Sequence, residues 1–337
     1  MNTRMLPLLS LLALAVLPAR AQAPVLPHVL HEYTLGGDGG WDYLNLDSAS
    51  RRIYISRFTH VMVVDADNGK VVGDVPGTDG VHGIALAPEL GLGFTSNGRA
   101  ASVTCFDLKT LKVVRVIHPT GEGPDAILYD PFSKRVFTFN GHGHSVTAIN
   151  ATTGAIEGTL PLNAKPEFAA TDGAGCIFVN LEDKSQIAVF GAKDLKLQAT
   201  WPLGEVEEPS GLAFDAAHSR LYSTGGNAKV AVVDVKTGKV LAALPSGEGT
   251  DAAGFDAGNS LAYASNGTGT LTVMEGLKVL GNVPTARGAR TMAVDAKTHH
   301  VFLVTARFGP APAPTAERPH PRPSMVPGTF KLIEVGN

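Results

Sequence analysis

The chain has 337 residues with 28 Lys and Arg against 31 Asp and Glu, a formal charge of −3. No global basic field exists to draw in polyphosphate, which argues against nucleic-acid binding. Two cysteines are too few for a disulfide framework in a chain long enough to build a core without staples, and 38 Gly with 22 Pro among short alternating apolar runs predict many strands and turns.

Residues 1–21 read as a secretory signal peptide. Arg4 precedes an apolar run from Met5 to Leu17, and the small-residue stretch Ala19-Arg20-Ala21 follows. That run is shorter than the ~20 residues a helix needs to cross a bilayer, so cleavage after Ala21 is expected rather than a retained anchor. No later segment is apolar for long enough to span a membrane. The mature chain, 22–337, is expected in the periplasm or secreted, with 26 basic against 31 acidic side chains once Arg4 and Arg20 are gone.

From residue 42 onward the sequence repeats. A tetrapeptide opening on an aromatic recurs as Tyr54-Ile55-Ser56-Arg57, Phe94-Thr95-Ser96-Asn97, Phe137-Thr138-Phe139-Asn140, Phe178-Val179-Asn180-Leu181, Tyr222-Ser223-Thr224-Gly225, Tyr263-Ala264-Ser265-Asn266 and Phe302-Leu303-Val304-Thr305. Successive aromatics lie 40, 43, 41, 44, 41 and 39 residues apart, a period that marks an array of supersecondary units. Before each aromatic stands a short apolar segment, ending in Asp47, Asp130, Asp172, Asp215, Asp256 or Asp295, with Ala87-Pro88 as the exception. After it comes an alternating strand and a turn opened by Asp or Asn with Gly in the left-handed place, clearest at Asp65 to Gly69 and Asp234 to Gly238. Each repeat therefore supplies four antiparallel strands, A to D, that must stack on their neighbours. The last repeat, Thr291 to Val335, has three strand signals, and an unpartnered strand at His31 to Leu35 is expected to pair with it, removing the exposed edges. The expectation is one all-β domain over 22–337, a seven-bladed β-propeller closed by the N-terminal strand.

These tetrapeptides resemble those of the YVTN family of β-propellers, the group that includes YncE-like periplasmic proteins, over the whole mature chain. The resemblance implies the propeller fold and export. It does not imply a reaction, because propellers of this kind include nucleic-acid binders, lactonases and lyases.

In this strand order the D-to-A and B-to-C loops open on one face, where ligand sites are expected. The A strands begin with Asp42, His82, Asp125, Glu167, Ser210, Asp251 and Arg290, and three residues earlier stand Gly39, Asp79, Glu122, Ala164, Glu207, Glu248 and Arg287. With Arg57 and Arg307 in B-to-C loops, a mouth with a carboxylate sector and an arginine sector is expected. Such a ring reads either as ordinary polar turn residues at a wet pore, or as a site where carboxylates recruit a cation and arginines hold an anionic group. The most metal-like set is His142 and His144 with His82 and Asp125, which would suit a divalent metal ion. The stretch 309–328, with seven prolines, is inserted in blade 7 and reads either as a stiff lid carrying Arg318, His320 and Arg322 or as a plain surface loop.

The glycine-rich segments at Gly121 and Gly247 have no following helix and carry acidic residues that repel phosphate. No Gly-x-Ser-x-Gly elbow occurs. Two function classes remain: a binding protein that holds a small polar or anionic ligand, or a partner's loop, at the mouth, and a divalent-metal-assisted hydrolase, lactonase or lyase that uses the same residues.

Overall fold

The computed structural model describes residues 25–118, 120–315, 321 and 323–337. The expected signal peptide lies outside the described residues, as do Arg318, His320 and Arg322. Among the described residues no helix is long and apolar enough to cross a membrane.

The chain is all-β. Among the described residues five antiparallel sheets have four strands each, and a sixth has seven. The tetrapeptide is the second strand of each unit: Arg52–Ser56, Leu92–Asn97, Arg135–Asn140, Cys176–Leu181, Arg220–Gly225, Leu261–Asn266 and Val301–Thr305. Its aromatics are core residues, 0 to 3 % exposed. They and their neighbours join adjacent units, as where the rings of Tyr222 and Phe255 stack at 6.0 Å and those of Phe137 and Phe190 meet edge-on at 5.8 Å.

Alternation sets the second and fourth residues of the tetrapeptide on the same face, and there the polar ones complete each other. Thr95 donates to Asn97 Oδ1 at 2.8 Å, and Asn97 Nδ2 donates to Ser102 Oγ at 3.1 Å and Thr104 Oγ1 at 2.9 Å. Asn140 repeats the pattern with Thr138, Ser145 and Thr147, and Asn266 with Thr250, Thr270 and Thr272. A buried amide is tolerated here because its donors and its acceptor are matched. The aspartates that end the first strands accept backbone N–H groups of the next turn, Asp47 from Ala49 and Ser50, and Asp172 from Ala174, Gly175 and Cys176.

The seven-stranded sheet holds the first two repeats. The fourth strand of repeat 1 and the first of repeat 2 run on as one strand, Val71–Ala87, through Gly77 and Gly80, whose φ values of +75° and +72° turn the chain between the two ladders. The residues up to Pro76 pair with Phe58–Asp65, and those from Ile84 pair with Leu92–Asn97. The N-terminal strand, His28–Thr34, begins earlier than the sequence suggests and pairs antiparallel with Lys331–Gly336 beside Val301–Thr305 and Met292–Val294.

The first strands of successive units pack on one another. Leu44–Asp47 lies against Val71–Ala87, then follow Pro124–Asp130, Pro166–Thr171, Pro209–Asp215, Thr250–Asp256 and Met292–Val294, and the last packs back on Leu44–Asp47. Gly211 shows how close this approach is, since a Cβ there would fall 2.4 Å from the Ala253 nitrogen. Cys105, in Ser102–Asp107, and Cys176, in Cys176–Leu181, are both free thiols.

Candidate functional site

In five repeats the third tetrapeptide position, Ser56, Ser96, Asn180, Thr224 or Ser265, hydrogen-bonds backbone at the start of a first strand. Ser56 Oγ accepts the Asp42 N–H at 3.1 Å and donates to the Tyr43 carbonyl at 3.0 Å. Ser96 accepts the Gly83 N–H at 2.9 Å and donates to the Asp125 carbonyl. Asn180 donates to the carbonyls of Ser210 and Gly211, Thr224 accepts the Gly211 N–H, and Ser265 donates to the Arg290 carbonyl. Thr291 completes the set by donating to the Asp42 carbonyl at 2.7 Å. Every one of these backbone segments is held by a neighbouring side chain, so the charged groups they carry are preorganised.

Those groups meet in one belt. Arg290 Nε lies 3.2 Å from Asp251 Oδ2, and Arg290 Nη2 lies 4.0 Å from Asp42 Oδ1. His82 Nδ1 lies 2.7 Å from Asp42 Oδ2 and 3.5 Å from Asp125 Oδ1. Lys165 Nζ is 2.8 Å from Glu167 and also pairs with Glu182, while Ser210 donates to Asp251 Oδ1 at 2.8 Å. Arg290, His82 and Lys165 thus each sit among carboxylates, so Arg290 is not set apart from the carboxylates as the expected two sectors required. Adjacent first strands stand within one side chain's reach, so opposite charges from neighbouring repeats close onto each other.

Burial shapes the protonation of this belt. It raises the Glu167 carboxyl to about 8, with the Asp125 charge adding to it. Lys165 opposes that shift only in part because it divides its charge between Glu167 and Glu182. Burial likewise raises Asp125 and Asp251. The hydrogen bond to Asp42 raises His82 in spite of burial, and the charges of Asp125 and Asp42 add to it.

Below the belt the cup has a floor. Tyr43 follows Asp42 and Phe168 follows Glu167, and their rings meet with centroids 5.0 Å apart. The equivalent residues elsewhere are Gly83, Ala126, Gly211, Ala252 and Thr291, so two large rings fill a space to which the other repeats contribute little. Burial, and then the charges of Asp251, Asp42, Glu167 and Asp125, push the Tyr43 phenol well above its usual value. Under the rings lies a cavity of about 220 Å³ lined by Asn45, Ile84, Leu86 and Leu128.

The other residues singled out in the sequence lie elsewhere or play other parts. Arg57 is 1 % exposed. Its guanidinium donates to the carbonyls of Gly36, Asp38, Gly39 and Gly40 and lies 3.8 Å over the Phe330 ring, so it holds the loop before Asp42. Arg287 is exposed on the turn leading to Arg290, and Arg307 is exposed beside the insertion. His142 is exposed and lines a pocket of about 450 Å³ with His82, Asp125 and Lys165. Among the described residues the set that could hold a metal is Asp42, His82 and Asp125, whose donor atoms lie within 4.8 Å of one another; it keeps His82 and Asp125 of the expected residues and lacks His142 and His144. His144 is exposed at φ +47° in the hairpin turn. The neck of the Pro-rich insertion is a short ladder, with Gly309 N–H on the Ser324 carbonyl at 2.9 Å and Val326 N–H on the Arg307 carbonyl at 2.8 Å.

No protein-family model matches the chain, and no curated protein matches it either.

Lys165, Glu182, Tyr43 and Phe168 are the functional candidates that reading the sequence left out. Tyr43 and Phe168 carry a legible signal once the repeats are aligned, being aromatic where five other repeats have small residues or Thr. Lys165 lies two residues before Glu167, off the repeat position, and carries none.

Proposed function

We propose that the chain is an exported, closed seven-bladed β-propeller of the YVTN kind, whose cup binds a small polar ligand bearing both a cationic and an anionic group. The cyclic packing of the first strands and the pairing of His28–Thr34 with Lys331–Gly336 support closure. The binding reading rests on the linked run Asp251, Arg290, Asp42, His82 and Asp125. Breaking a partly buried ion pair costs several kcal/mol when one charge is left alone. A ligand carrying both signs exchanges for existing partners and leaves no charge unmatched, whereas a ligand of one sign does not. The carboxyl raised to about 8 on Glu167 fits a site rather than a surface, since such shifts gather where groups are held for binding or catalysis.

The test is thermal shift of the mature protein against the protein amino acids, their decarboxylated amines and their deaminated acids. The expected result is that one or more amino acids raise the melting temperature while the matching amine and acid do not, and that Asp251→Asn abolishes the rise. No response from any amphoteric compound, or equal responses to the singly charged ones, contradicts the reading.

A second reading has its own support. One imidazole and two carboxylates at Asp42, His82 and Asp125 fit a divalent ion such as zinc or manganese, which would take the place of the His82 proton. When bound, such an ion would polarise a carbonyl for hydrolysis or elimination. Repeating the thermal-shift panel with zinc or manganese present separates the two, because a metal-dependent site responds only in the loaded protein.

A further inference from the structure

Beside the belt, between the loops of repeats 6, 7 and 1, lies a pocket of about 380 Å³ lined by Trp41, Phe308, Pro323, Arg287 and Arg290, with glycines completing the wall. We propose that this pocket is a subsite for an aromatic carboxylate, the ring lying on Trp41 and Phe308 and the carboxylate on Arg287. It deepens the reading of the cup as a ligand site, on which it rests through the shared Arg290.

Four observations carry it. The aromatic wall is packed: Trp41 lies 6.0 Å from Phe308 and 5.2 Å from Phe330, and buried Arg57 lies 3.8 Å over the Phe330 ring. Phe308 reaches its place because residue 288 is glycine at φ +82°, where a Cβ would stand 2.7 Å from the Phe308 ring. The arginine turn is also fixed, with the Gly288 N–H on the Gly267 carbonyl at 2.8 Å, the Ala289 N–H on Ala286 at 3.0 Å, and Thr305 donating to the Arg287 carbonyl at 2.7 Å. Finally, Arg290 is matched by Asp251 and Asp42, whereas among the described residues no carboxylate pairs with exposed Arg287.

The chemistry follows. A guanidinium presents a planar fork that matches a carboxylate bidentately, and rings offset over Trp and Phe gain beyond their buried area. The volume lies at the small end of ligand pockets, suited to a one- or two-ring acid. Glycine walls leave room for the flat faces of such a molecule where side chains would intrude.

The chain has two tryptophans, and only Trp41 lines this pocket; Trp201 packs on Phe178 in repeat 4. Benzoate is therefore titrated against the intrinsic fluorescence of the mature Trp201→Phe protein, with cyclohexanecarboxylate as the charged, non-aromatic control and benzamide as the aromatic, uncharged control. Saturable quenching by benzoate is expected, with each control weaker by roughly tenfold or more, and Arg287→Gln should weaken benzoate by about tenfold, the loss of one charge-assisted pair. Ligand-observed saturation-transfer spectra on the unaltered protein give the same comparison without relying on the Trp201 variant. Equal affinity for benzoate and either control, or an unchanged affinity in Arg287→Gln, overturns the subsite. If that occurs while amino acids still bind in a manner sensitive to Asp251→Asn, only the subsite fails. If the amino-acid response is absent as well, the reading of the cup fails with it.

Discussion

Arg57 occupies the fourth tetrapeptide position, where three other repeats place the amide of Asn97, Asn140 or Asn266. Its five N–H groups reach further than an amide and bind the loop carbonyls of residues 36 to 40, while burial lowers the guanidinium to about 10. Replacing it with Ala strands those carbonyls and removes the support under Phe330. Arg57→Ala should therefore lower unfolding free energy by about 3 kcal/mol in urea titration, and Arg57→Lys should recover little, since an ammonium lacks the fork. A loss under about 0.5 kcal/mol, the range of ordinary surface changes, would mean that the loop is held by something else. Glu167 makes a pH prediction. Its folded value, about 8, lies above the ordinary 4.5, so the native state holds a proton that the unfolded state has lost between those two values. The stability it contributes is full below about 4.5 and disappears as pH rises through 8, and raised His82 adds a loss of the same sign. Melting temperature should fall from pH 5 to pH 9, and Glu167→Gln should flatten that fall. An identical profile in the variant would place the titrating group elsewhere.

At the scale of the strand, the proposed closure rests on the N-terminal segment. His28–Thr34 covers the outer edge of Lys331–Gly336, and its Tyr33 hydroxyl donates to Glu334 at 3.0 Å. A protein starting at Gly36 exposes that edge and should melt several degrees lower, with a greater tendency to associate, because a bare strand edge pairs with other chains. An unchanged melting temperature would remove this strand from the closure scheme. The strands themselves were legible because alternation, Asp turns and Gly at left-handed positions are local signals repeated seven times. Two features were not. The continuous strand Val71–Ala87 arises where the turn between repeats at Gly77 and Gly80 stays in hydrogen-bonding range, a matter of geometry rather than composition. Arg57 had the place and charge of a ligand residue, and only the fold of residues 36 to 40 around it shows why it is buried.

Across the whole molecule, repetition turns one sequence position into a ring. The residues that open the first strands converge as the period requires, and that much of the site could be read from spacing. Their pairing could not, because which neighbour each charge meets depends on side-chain reach across adjacent units: Arg290 closes onto Asp251 and Asp42, His82 onto Asp42 and Asp125, and Lys165 intrudes from outside the repeat pattern. The metal-like set shifted for the same reason, since His142 and His144 sit at a hairpin tip while Asp42 stands across from His82. The belt is thus a set of paired charges above a floor of Tyr43 and Phe168, and the proposed function turns on exchange of those partners for a ligand's. Isothermal titration of the amino acid that responds most strongly in the thermal panel, against unaltered protein, Arg290→Ala and Arg290→Lys, measures that exchange directly. Arg290→Ala should weaken binding by about 1.5 to 3 kcal/mol with the fold intact, and Arg290→Lys should recover only part of it. Equal affinity in all three proteins would contradict the account and leave the belt as a structural ion-pair ring.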